Sequence, residues 1–202
     1  CIEDNTILAS STSTIKASDL QMGLSFADRV VIGHPFNPPH LLPLVEVVGG
    51  KQTSNETIEK TIEFYKNIGK KPIRLNIEKK GHLANRLQAA VWREAVDAVL
   101  SGQASVKDVD LAITAALGPR WAAMGPFETF HMGGGEGGLK HFLEHLGDVF
   151  EDLWDDENRP ILKKEDKQNL VTQIENKLKG QSFEDLTIKR DENLKEILSV
   201  VT

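Results

Sequence analysis

The sequence predicts an α/β segment followed by an all-α segment. Four short runs typical of β-strands occur in the first part, at Thr6–Ser10, Arg29–His34, Pro43–Val48 and Pro72–Ile77. After Gly81, apolar residues recur only at helical spacing, and glycine or proline separates the successive helical runs. These two observations place the boundary between the segments near residue 79.

The α/β segment is expected to carry two helices between its strands. Ser54 is a suitable N-cap for the longer helix, and Gly69 stands where its C-terminal stop is expected. The apolar face of this helix consists of Ile58, Ile62 and Tyr65. A shorter helix is expected to begin at Ser18. Because Pro72–Ile77 alternates in polarity, it is expected at the edge of the sheet.

The all-α segment opens with a long predicted helix over residues 83–100. Its apolar residues, to which Trp92 adds bulk, cover a broad surface, which favours burial in a core or in a subunit interface. Ser105 is the expected N-cap of the next helix, with Asp108 at the third helical position. Gly118 is expected to end that helix.

Further helices are expected along the rest of the chain. Pro126 suits the first turn of one helix, and residues 139–150 and 163–179 form two more. Ser182 is expected to open an acidic helical stretch. The predicted organisation has three regions: an α/β region at 1–79, a helical domain at 80–150 and an acidic helical extension at 151–202.

Charge and composition exclude several classes of protein. The 202 residues carry a net charge of −6, and residues 144–202, with 15 acidic and 9 basic residues, account for all of it. Nucleic-acid binding is not expected, because phosphate contacts need clustered Lys and Arg. No apolar run reaches the roughly 18 to 20 residues that cross a bilayer, so no membrane segment is expected. The single cysteine suits a reducing compartment, and we expect the cytoplasm.

His34 and Glu46 are the main candidates for chemistry. His34 ends one apolar run, and Glu46 lies within the next, so adjacent strands would let the two side chains meet. A histidine held by a carboxylate is a suitable general base near neutral pH. The alternative is that His34 is structural or solvated and that Glu46 is an exposed strand residue. Burial of Glu46 in the run Leu44–Val48 favours the pair, because a buried carboxylate needs a partner.

Hydroxyl and amide side chains near the strand ends are further candidates. Ser10–Thr14 follows the first strand and is either a polar loop or a hydroxyl platform at the carboxyl ends of parallel strands, where α/β proteins bind ligands. Asn85 falls on the first helix of the all-α segment, where it is either exposed or directed into a cleft.

The glycine cluster at 133–138 and three histidines invite other interpretations. No predicted strand precedes the cluster and no Lys-Ser or Lys-Thr follows it, so a phosphate-binding loop is not expected. His141 and His145 share a helix face, but the sequence lacks the glutamate of the zinc-protease motif. We therefore expect no metal site.

Five motifs together resemble the L-3-hydroxyacyl-CoA dehydrogenase family in order and spacing. They are Ser11-Thr12-Ser13, His34-Pro35-Phe36-Asn37-Pro38, Leu44-Val45-Glu46-Val47, Asn85-Arg86-Leu87 and Met124-Gly125-Pro126-Phe127-Glu128. The resemblance covers about residues 5–145, and it includes the twelve-residue spacing of His34 and Glu46. Leu117-Gly118-Pro119-Arg120-Trp121 is more similar to the branch that contains L-carnitine dehydrogenase and lambda-crystallin.

The resemblance implies a fold and a set of roles. The fold would be the second half of a Rossmann-type dinucleotide-binding domain followed by an all-α domain that dimerises. His34 would take the proton of the 3-hydroxyl group while NAD accepts hydride, and Glu46 would orient the imidazole. Ser13 and Asn85 would bind the substrate oxygen, and Ser11 and Asn37 would line the nicotinamide side or support His34.

The resemblance also implies what lies outside this sequence. The glycine-rich turn and the acidic ribose-binding residue of the family belong to the first half of the nucleotide domain, so we expect the chain to begin partway through that domain. The implied function is NAD-dependent oxidation of an L-3-hydroxyacyl-CoA or of a carnitine-like or gulonate-like 3-hydroxy acid. For such an acid, Arg120 would be the partner of the free carboxylate; otherwise it is a solvated or helix-end arginine. The alternative is a non-enzymatic structural protein of the crystallin type, which would not need the His34–Glu46 pair.

Overall fold

The computed structural model describes residue 3, residues 5–154 and residues 163–201. The chain divides into two compact units, Cys1–Ala90 and Val91–Thr202. The first unit contains a four-stranded sheet with helices, and the described part of the second contains helices and turns. The expected α/β segment followed by an all-α segment is therefore confirmed, while the domain boundaries at residues 79 and 150 stay predictions.

The first unit alternates strands and helices, as the apolar runs predicted. Its elements are β1 (Leu8–Ser10), α1 (Ala17–Leu20), β2 (Val30–Pro35), β3 (Leu44–Gly49), α2 (Asn55–Asn67) and β4 (Lys71–Arg74), followed by the first turns of α3 (Ala84–Leu100). The predicted helix at Ser18 is confirmed as α1. The fourth strand is shorter than predicted and ends before Asn76.

The sheet is mixed, with strand order β1-β2-β3-β4. β1 pairs parallel with β2, β2 pairs antiparallel with β3, and β3 pairs parallel with β4. Within the described strands β4 therefore lies at the edge, as its alternating polarity predicted. The parallel pairing of β1 and β2 also places their carboxyl ends at the same edge of the sheet.

The two faces of the sheet are covered by different elements. One face is buried against the longer helix and consists of Val31, Val45 and Val47, packed with Ile58, Ile62 and Tyr65. The other face carries Ile32 and Val48, which are buried against Ala17 of the short helix, with Leu20 and Leu75 beside them. Burial on both faces explains why β2 and β3 are continuous apolar runs rather than alternating ones.

Helix α2 has the termini that the sequence predicted. The Ser54 hydroxyl accepts a hydrogen bond from the backbone N–H of Thr57 at 3.1 Å, which satisfies one of the free donors of the first turn. Gly69 has a φ of +78°, the left-handed conformation that commonly ends a helix. Both predictions are confirmed.

Tyr65 of α2 packs directly beneath β2 where that strand reaches His34. A Cβ atom at Gly33 would lie 2.5 Å from the Tyr65 hydroxyl oxygen, so this position has no room for a side chain. Burial raises the pKa of the Tyr65 phenol, which remains a hydrogen-bond donor to the Gly33 carbonyl at 3.4 Å. The contact anchors the backbone on the face of β2 opposite the His34 side chain.

The second unit contains the rest of α3 and the later helices. These are α4 (Val106–Ala112), a π-helical turn (Ile113–Leu117), α5 (Gly118–Ala123), α6 (Pro126–Gly133), α7 (Gly138–Trp154), α8 (Lys164–Lys177) and α9 (Phe183–Val201). Aromatic contacts join α6 and α7, with the Phe130 and Phe142 ring centroids 4.7 Å apart. No helix in the described ranges combines the length and hydropathy that a membrane span requires.

The helix starts in this unit follow the sequence signals closely. The hydroxyls of Ser105 and Ser182 accept from the N–H groups of Asp108 and Asp185 at 3.2 and 3.1 Å. Asp185 also accepts from the Ser182 backbone N–H at 3.0 Å, which completes a reciprocal cap. Pro126 stands at the first helical position of α6, as predicted.

The predicted helix end at Gly118 is wrong. Gly118 has a helical φ of −56°, and it opens α5 directly after the π-helical turn. The π-helical turn joins α4 to α5, and Pro119 falls in the first turn of α5, where a missing N–H is tolerated. Glycine permits a helix stop but does not impose one, and the chain here continues as a helix.

Candidate active site

His34 and Glu46 face each other across two adjacent strands. The antiparallel register of β2 and β3 places His34 directly opposite Glu46. Nδ1 of His34 lies 2.9 Å from Oε2 of Glu46, and the two residues are 4% and 0% exposed. Both side chains belong to the sheet face that also carries Ile32 and Val48. The structure therefore brings the two sequence candidates into a buried hydrogen bond.

The second carboxylate oxygen of Glu46 binds the start of α3. Oε1 accepts hydrogen bonds from the backbone N–H groups of Leu83 at 2.9 Å and Ala84 at 2.8 Å. The first N–H groups of a helix have no partner within the helix, and the helix dipole favours a negative charge there. Glu46 is therefore surrounded by three donors, and its burial as a carboxylate is compensated.

These contacts determine which nitrogen of His34 carries the proton. A carboxylate accepts hydrogen bonds and does not donate them, so the hydrogen between the two side chains belongs to Nδ1 of His34. In the neutral imidazole the other nitrogen, Nε2, is then an acceptor with a free lone pair. Glu46 thus leaves Nε2 of His34 available to accept a proton.

Ser13 lies at that acceptor. Its hydroxyl oxygen is 3.2 Å from Nε2 of His34, and the Ser13 side chain is exposed. Ser13 follows β1, and β1 and β2 run parallel, so the two residues meet at the carboxyl edge of the sheet. This edge is where open α/β sheets bind ligands.

Two aromatic rings flank the His34 imidazole. Phe36 contacts it edge to face, with ring centroids 4.8 Å apart, and His82 lies 5.1 Å away by the same measure. His82 is 3% exposed, and its Nε2 lies 3.0 Å from the carbonyl oxygen of Thr12. His82 is not among the residues that the sequence pattern indicated, and the one local signal for it is the adjoining Gly81.

The other sequence candidates lie at exposed or half-buried positions. Asn85 is half-buried in the first turn of α3, next to Ala84, and Ser11 and Asn37 are exposed after β1 and β2. Arg120 belongs to the second unit, where it is exposed on α5. Among the described residues the side chains of these four make no hydrogen bond or ion pair. Their roles, like those of His34, Glu46 and Ser13, stay predictions.

The glycine cluster and the histidine pair have helical surroundings. Residues 133–138 contain the letters G-x-G-x-x-G, but they join α6 to α7 and follow no strand. The His141 and His145 rings have centroids 4.1 Å apart and planes tilted by 40°, and Nδ1 of His145 bonds to the His141 carbonyl oxygen. In the part of the chain that the structure describes, no three His, Cys, Asp or Glu residues are grouped to hold a metal ion.

Comparison with protein families assigns both parts of the chain. Residues 1–78 match the description "3-hydroxyacyl-CoA dehydrogenase, NAD binding domain", and residues 81–176 match "3-hydroxyacyl-CoA dehydrogenase, C-terminal domain". The chain belongs to the 3-hydroxyacyl-CoA dehydrogenase family. The resemblance that five motifs predicted is confirmed, and so is the assignment of the sheet to a Rossmann-type nucleotide domain.

Individual relatives point to one branch of the family. An L-carnitine dehydrogenase from Oceanobacillus iheyensis is 43% identical over 197 residues, which are 98% of this chain and 64% of that protein. An L-carnitine dehydrogenase from Streptomyces coelicolor is 44% identical over 192 residues, which are 95% of this chain and 60% of that protein. The predicted branch is therefore confirmed, and the chain spans less than two thirds of the length of these relatives.

A solved structure supports the same fold. The crystal structure of 5-formyl-3-hydroxy-2-methylpyridine 4-carboxylic acid 5-dehydrogenase, described as an NAD+-dependent dismutase, is similar with a TM-score of 0.79. Its sequence is 27% identical, and the similarity covers 98% of this chain and 64% of that one. The fold extends across almost all of this chain.

Replacing Glu46 with Gln tests the buried pair directly. We expect a loss of about 1–3 kcal/mol in the free energy of unfolding, because the bonds from His34, Leu83 and Ala84 lose their ionic partner. An amide oxygen facing Leu83 and Ala84 leaves the NH₂ group facing His34, so we also expect the hydrogen of neutral His34 to move to Nε2. Urea unfolding and ¹⁵N NMR of the histidine rings measure the two effects.

The matched control is Glu63→Gln, an exposed position on α2. It removes the same charge without a buried partner and is expected to change stability by less than about 0.5 kcal/mol. A Glu46→Gln protein that keeps both its stability and the Nδ1–H form of His34 contradicts the prediction.

Proposed function

We propose that this chain supplies the acid–base and substrate-binding groups of an NAD-dependent dehydrogenase that oxidises a 3-hydroxy acid to the 3-oxo acid. The observation that carries the proposal is the buried His34, which is held by Glu46 on one nitrogen and approached by Ser13 on the other. A positioned base with a free lone pair beside a ligand-binding edge is the arrangement that proton abstraction from an alcohol requires.

His34 acts as the general base in this proposal. Its Nε2 takes the proton of the substrate 3-hydroxyl group, and its Nδ1 keeps the hydrogen bond to Glu46 throughout. The carboxylate stabilises the positive charge that the ring gains on protonation, and it prevents the ring from turning. In the reverse direction the same nitrogen returns the proton to the oxygen of the 3-oxo group.

Ser13 and Asn85 orient the substrate oxygen. The Ser13 hydroxyl already lies at hydrogen-bonding distance from Nε2 of His34, and a substrate hydroxyl bound there is shared between the two groups. Asn85 offers an amide donor from the first turn of α3, directly after the residues that bind Glu46. With the substrate oxygen held by these two groups, its hydroxyl proton points towards Nε2 of His34.

NAD is the cofactor that suits this edge of the sheet. Ser11 and Asn37 are exposed where β1 and β2 end, and we propose that they line the nicotinamide side. When bound, NAD accepts the hydride that leaves carbon 3 of the substrate. The chain supplies the proton acceptor and the groups that orient the reacting alcohol.

A substrate with a free carboxylate is favoured over an acyl-CoA. The relatives that cover nearly all of the chain are named L-carnitine dehydrogenase, and carnitine is a 3-hydroxy acid. Arg120 is an exposed guanidinium without an ion pair among the described residues, so it is available to bind a carboxylate in two parallel hydrogen bonds. A structural protein of the crystallin type would have no need of the buried His34–Glu46 pair.

A homodimer formed through the helical domain is part of the proposal. Leu87 and Trp92 on α3 are 56% and 60% exposed, although both are large apolar side chains. Exposed apolar surface of this kind is typical of subunit interfaces. Sedimentation at micromolar concentration is expected to show a dimer that Leu87→Glu shifts towards monomer. A folded monomer of the unsubstituted protein under these conditions contradicts the dimer, and so does a dimer that Leu87→Glu leaves intact.

The activity itself is tested by His34→Ala in the complete gene product. We expect NAD reduction with L-carnitine or a related 3-hydroxy acid, and we expect His34→Ala to lower kcat roughly 100-fold or more, the usual effect of losing a general base. His141→Gln, on an exposed residue of α7, is the control and should leave kcat unchanged. Absence of NAD reduction with any 3-hydroxy acid or 3-hydroxyacyl-CoA, or full turnover in His34→Ala, refutes the proposed function.

Charge reversal at Arg120 tests the choice of substrate. We expect Arg120→Glu to raise KM for a free 3-hydroxy acid by roughly 10-fold or more with a smaller change in kcat, because it replaces a carboxylate-binding group by a repelling one. Lys107→Glu reverses another exposed cation of the same unit and should leave KM unchanged. Equal KM values in Arg120→Glu and the unsubstituted protein contradict the assignment.

A further inference from the structure

His82 is a buried histidine that the mechanism so far leaves unused. It lies in the segment between β4 and α3, is 3% exposed, and has a φ of +51°. Gly81 before it has a φ of +80°. Two consecutive left-handed residues bend the chain sharply, and for a residue with a side chain this conformation is uncommon. The bend carries the His82 ring inward, next to His34.

The hydrogen bond of His82 defines which of its ring nitrogens carries a hydrogen. Nε2 lies 3.0 Å from the carbonyl oxygen of Thr12, and a carbonyl oxygen only accepts, so Nε2 of His82 carries a hydrogen. Nδ1 is buried and has no hydrogen-bond partner among the described residues. The geometry therefore assigns the hydrogen-bonding role of His82 to its Nε2–H group alone.

His82 is connected to both groups that form hydrogen bonds with the His34 ring, which are Ser13 and Glu46. Through Thr12 it holds the residue next to Ser13, whose hydroxyl reaches Nε2 of His34. Through the backbone it leads directly into Leu83 and Ala84, whose N–H groups hold Glu46. The loop after β1 and the start of α3 are therefore joined at His82, beside the reacting nitrogen.

We propose that His82 is a positioning residue, which fixes the Ser13 hydroxyl at Nε2 of His34 by holding the Thr12 carbonyl. The hydrogen bond spans 70 residues of sequence and anchors a loop whose neighbouring side chains are exposed. The catalytic consequence rests on the proposed function, whereas the positioning of Ser13 does not.

A packing role for His82 can be distinguished from a role as a hydrogen-bond donor. Packing against His34 and Phe36 requires volume, which Phe supplies as well as His, and it requires no donor. The distinction lies in the Nε2–H group, which Phe lacks and which a Gln amide partly replaces. Both substitutions place an ordinary side chain at the same left-handed backbone position, so the pair is matched for conformational strain.

The first measurement is ¹⁵N NMR of the histidine rings without cofactor or substrate. We expect the Nε2–H form at His82 and the Nδ1–H form at His34. Ser13→Ala is expected to shift the Nε2 resonance of His34, because that nitrogen loses its hydroxyl neighbour. His82→Phe is expected to reproduce this shift, and His82→Gln is expected to leave the resonance close to its original position.

The second measurement is a double-mutant cycle of turnover in the complete gene product. If His82 acts through Ser13, each of Ser13→Ala and His82→Phe lowers kcat roughly 10- to 100-fold, the scale of a misplaced group. The double variant then falls no further than the more severe single one, because the two substitutions remove the same interaction. His82→Gln is expected to restore most of the turnover that His82→Phe loses.

Each outcome decides for or against the proposal. An unchanged His34 resonance in folded His82→Phe, or losses of turnover that multiply in the double variant, overturns it and leaves His82 as a packing residue. If His82→Phe does not fold, the ¹⁵N spectrum of the unsubstituted protein tests the proposal. An Nδ1–H form at His82 would exclude the hydrogen bond to Thr12 and overturn it. Absence of dehydrogenase activity refutes the proposed function, and the NMR comparison still decides the role of His82.

Discussion

The burial of one carboxylate is the constraint on which the first unit depends. Glu46 is fully buried, and an ionised carboxylate in such a place costs several kcal/mol unless donors surround it. The donors come from β2, through His34, and from the start of α3, through Leu83 and Ala84. Displacement of either element leaves the charge unmatched, so Glu46 ties the imidazole of His34 and the backbone of Leu83 and Ala84 to strand β3 within the first unit.

The interaction between Glu46 and His34 stabilises the fold and also selects the tautomer of the proposed base. Because Glu46 takes the hydrogen on Nδ1 of His34, the lone pair of Nε2 is free at the edge of the sheet, next to Ser13. No separate device is needed to select the tautomer of the base. Tyr65, packed under Gly33 on the other face, anchors the strand from which His34 projects.

Much of the fold was predictable because its signals are local. The cap at Ser54 and the left-handed stop at Gly69 depend on residues within one helical turn, and both were predicted correctly. Gly118 shows the limit of such signals, because the chain around it stays helical through a π-helical turn. A glycine permits the left-handed conformation that ends a helix but does not impose it, so the glycine alone does not predict the helix end.

The sequence by itself determined the order of strands and helices, the family, and the presence of a histidine and a carboxylate suited to proton transfer. Only the tertiary structure decided that Glu46 stands opposite His34, that its second oxygen binds the N–H groups of Leu83 and Ala84, and that His82 reaches Thr12. These partners are separated by 12, 37, 38 and 70 residues. Backbone N–H groups have no signature in the sequence, and contacts at such separations follow from strand register and packing, which local patterns do not encode.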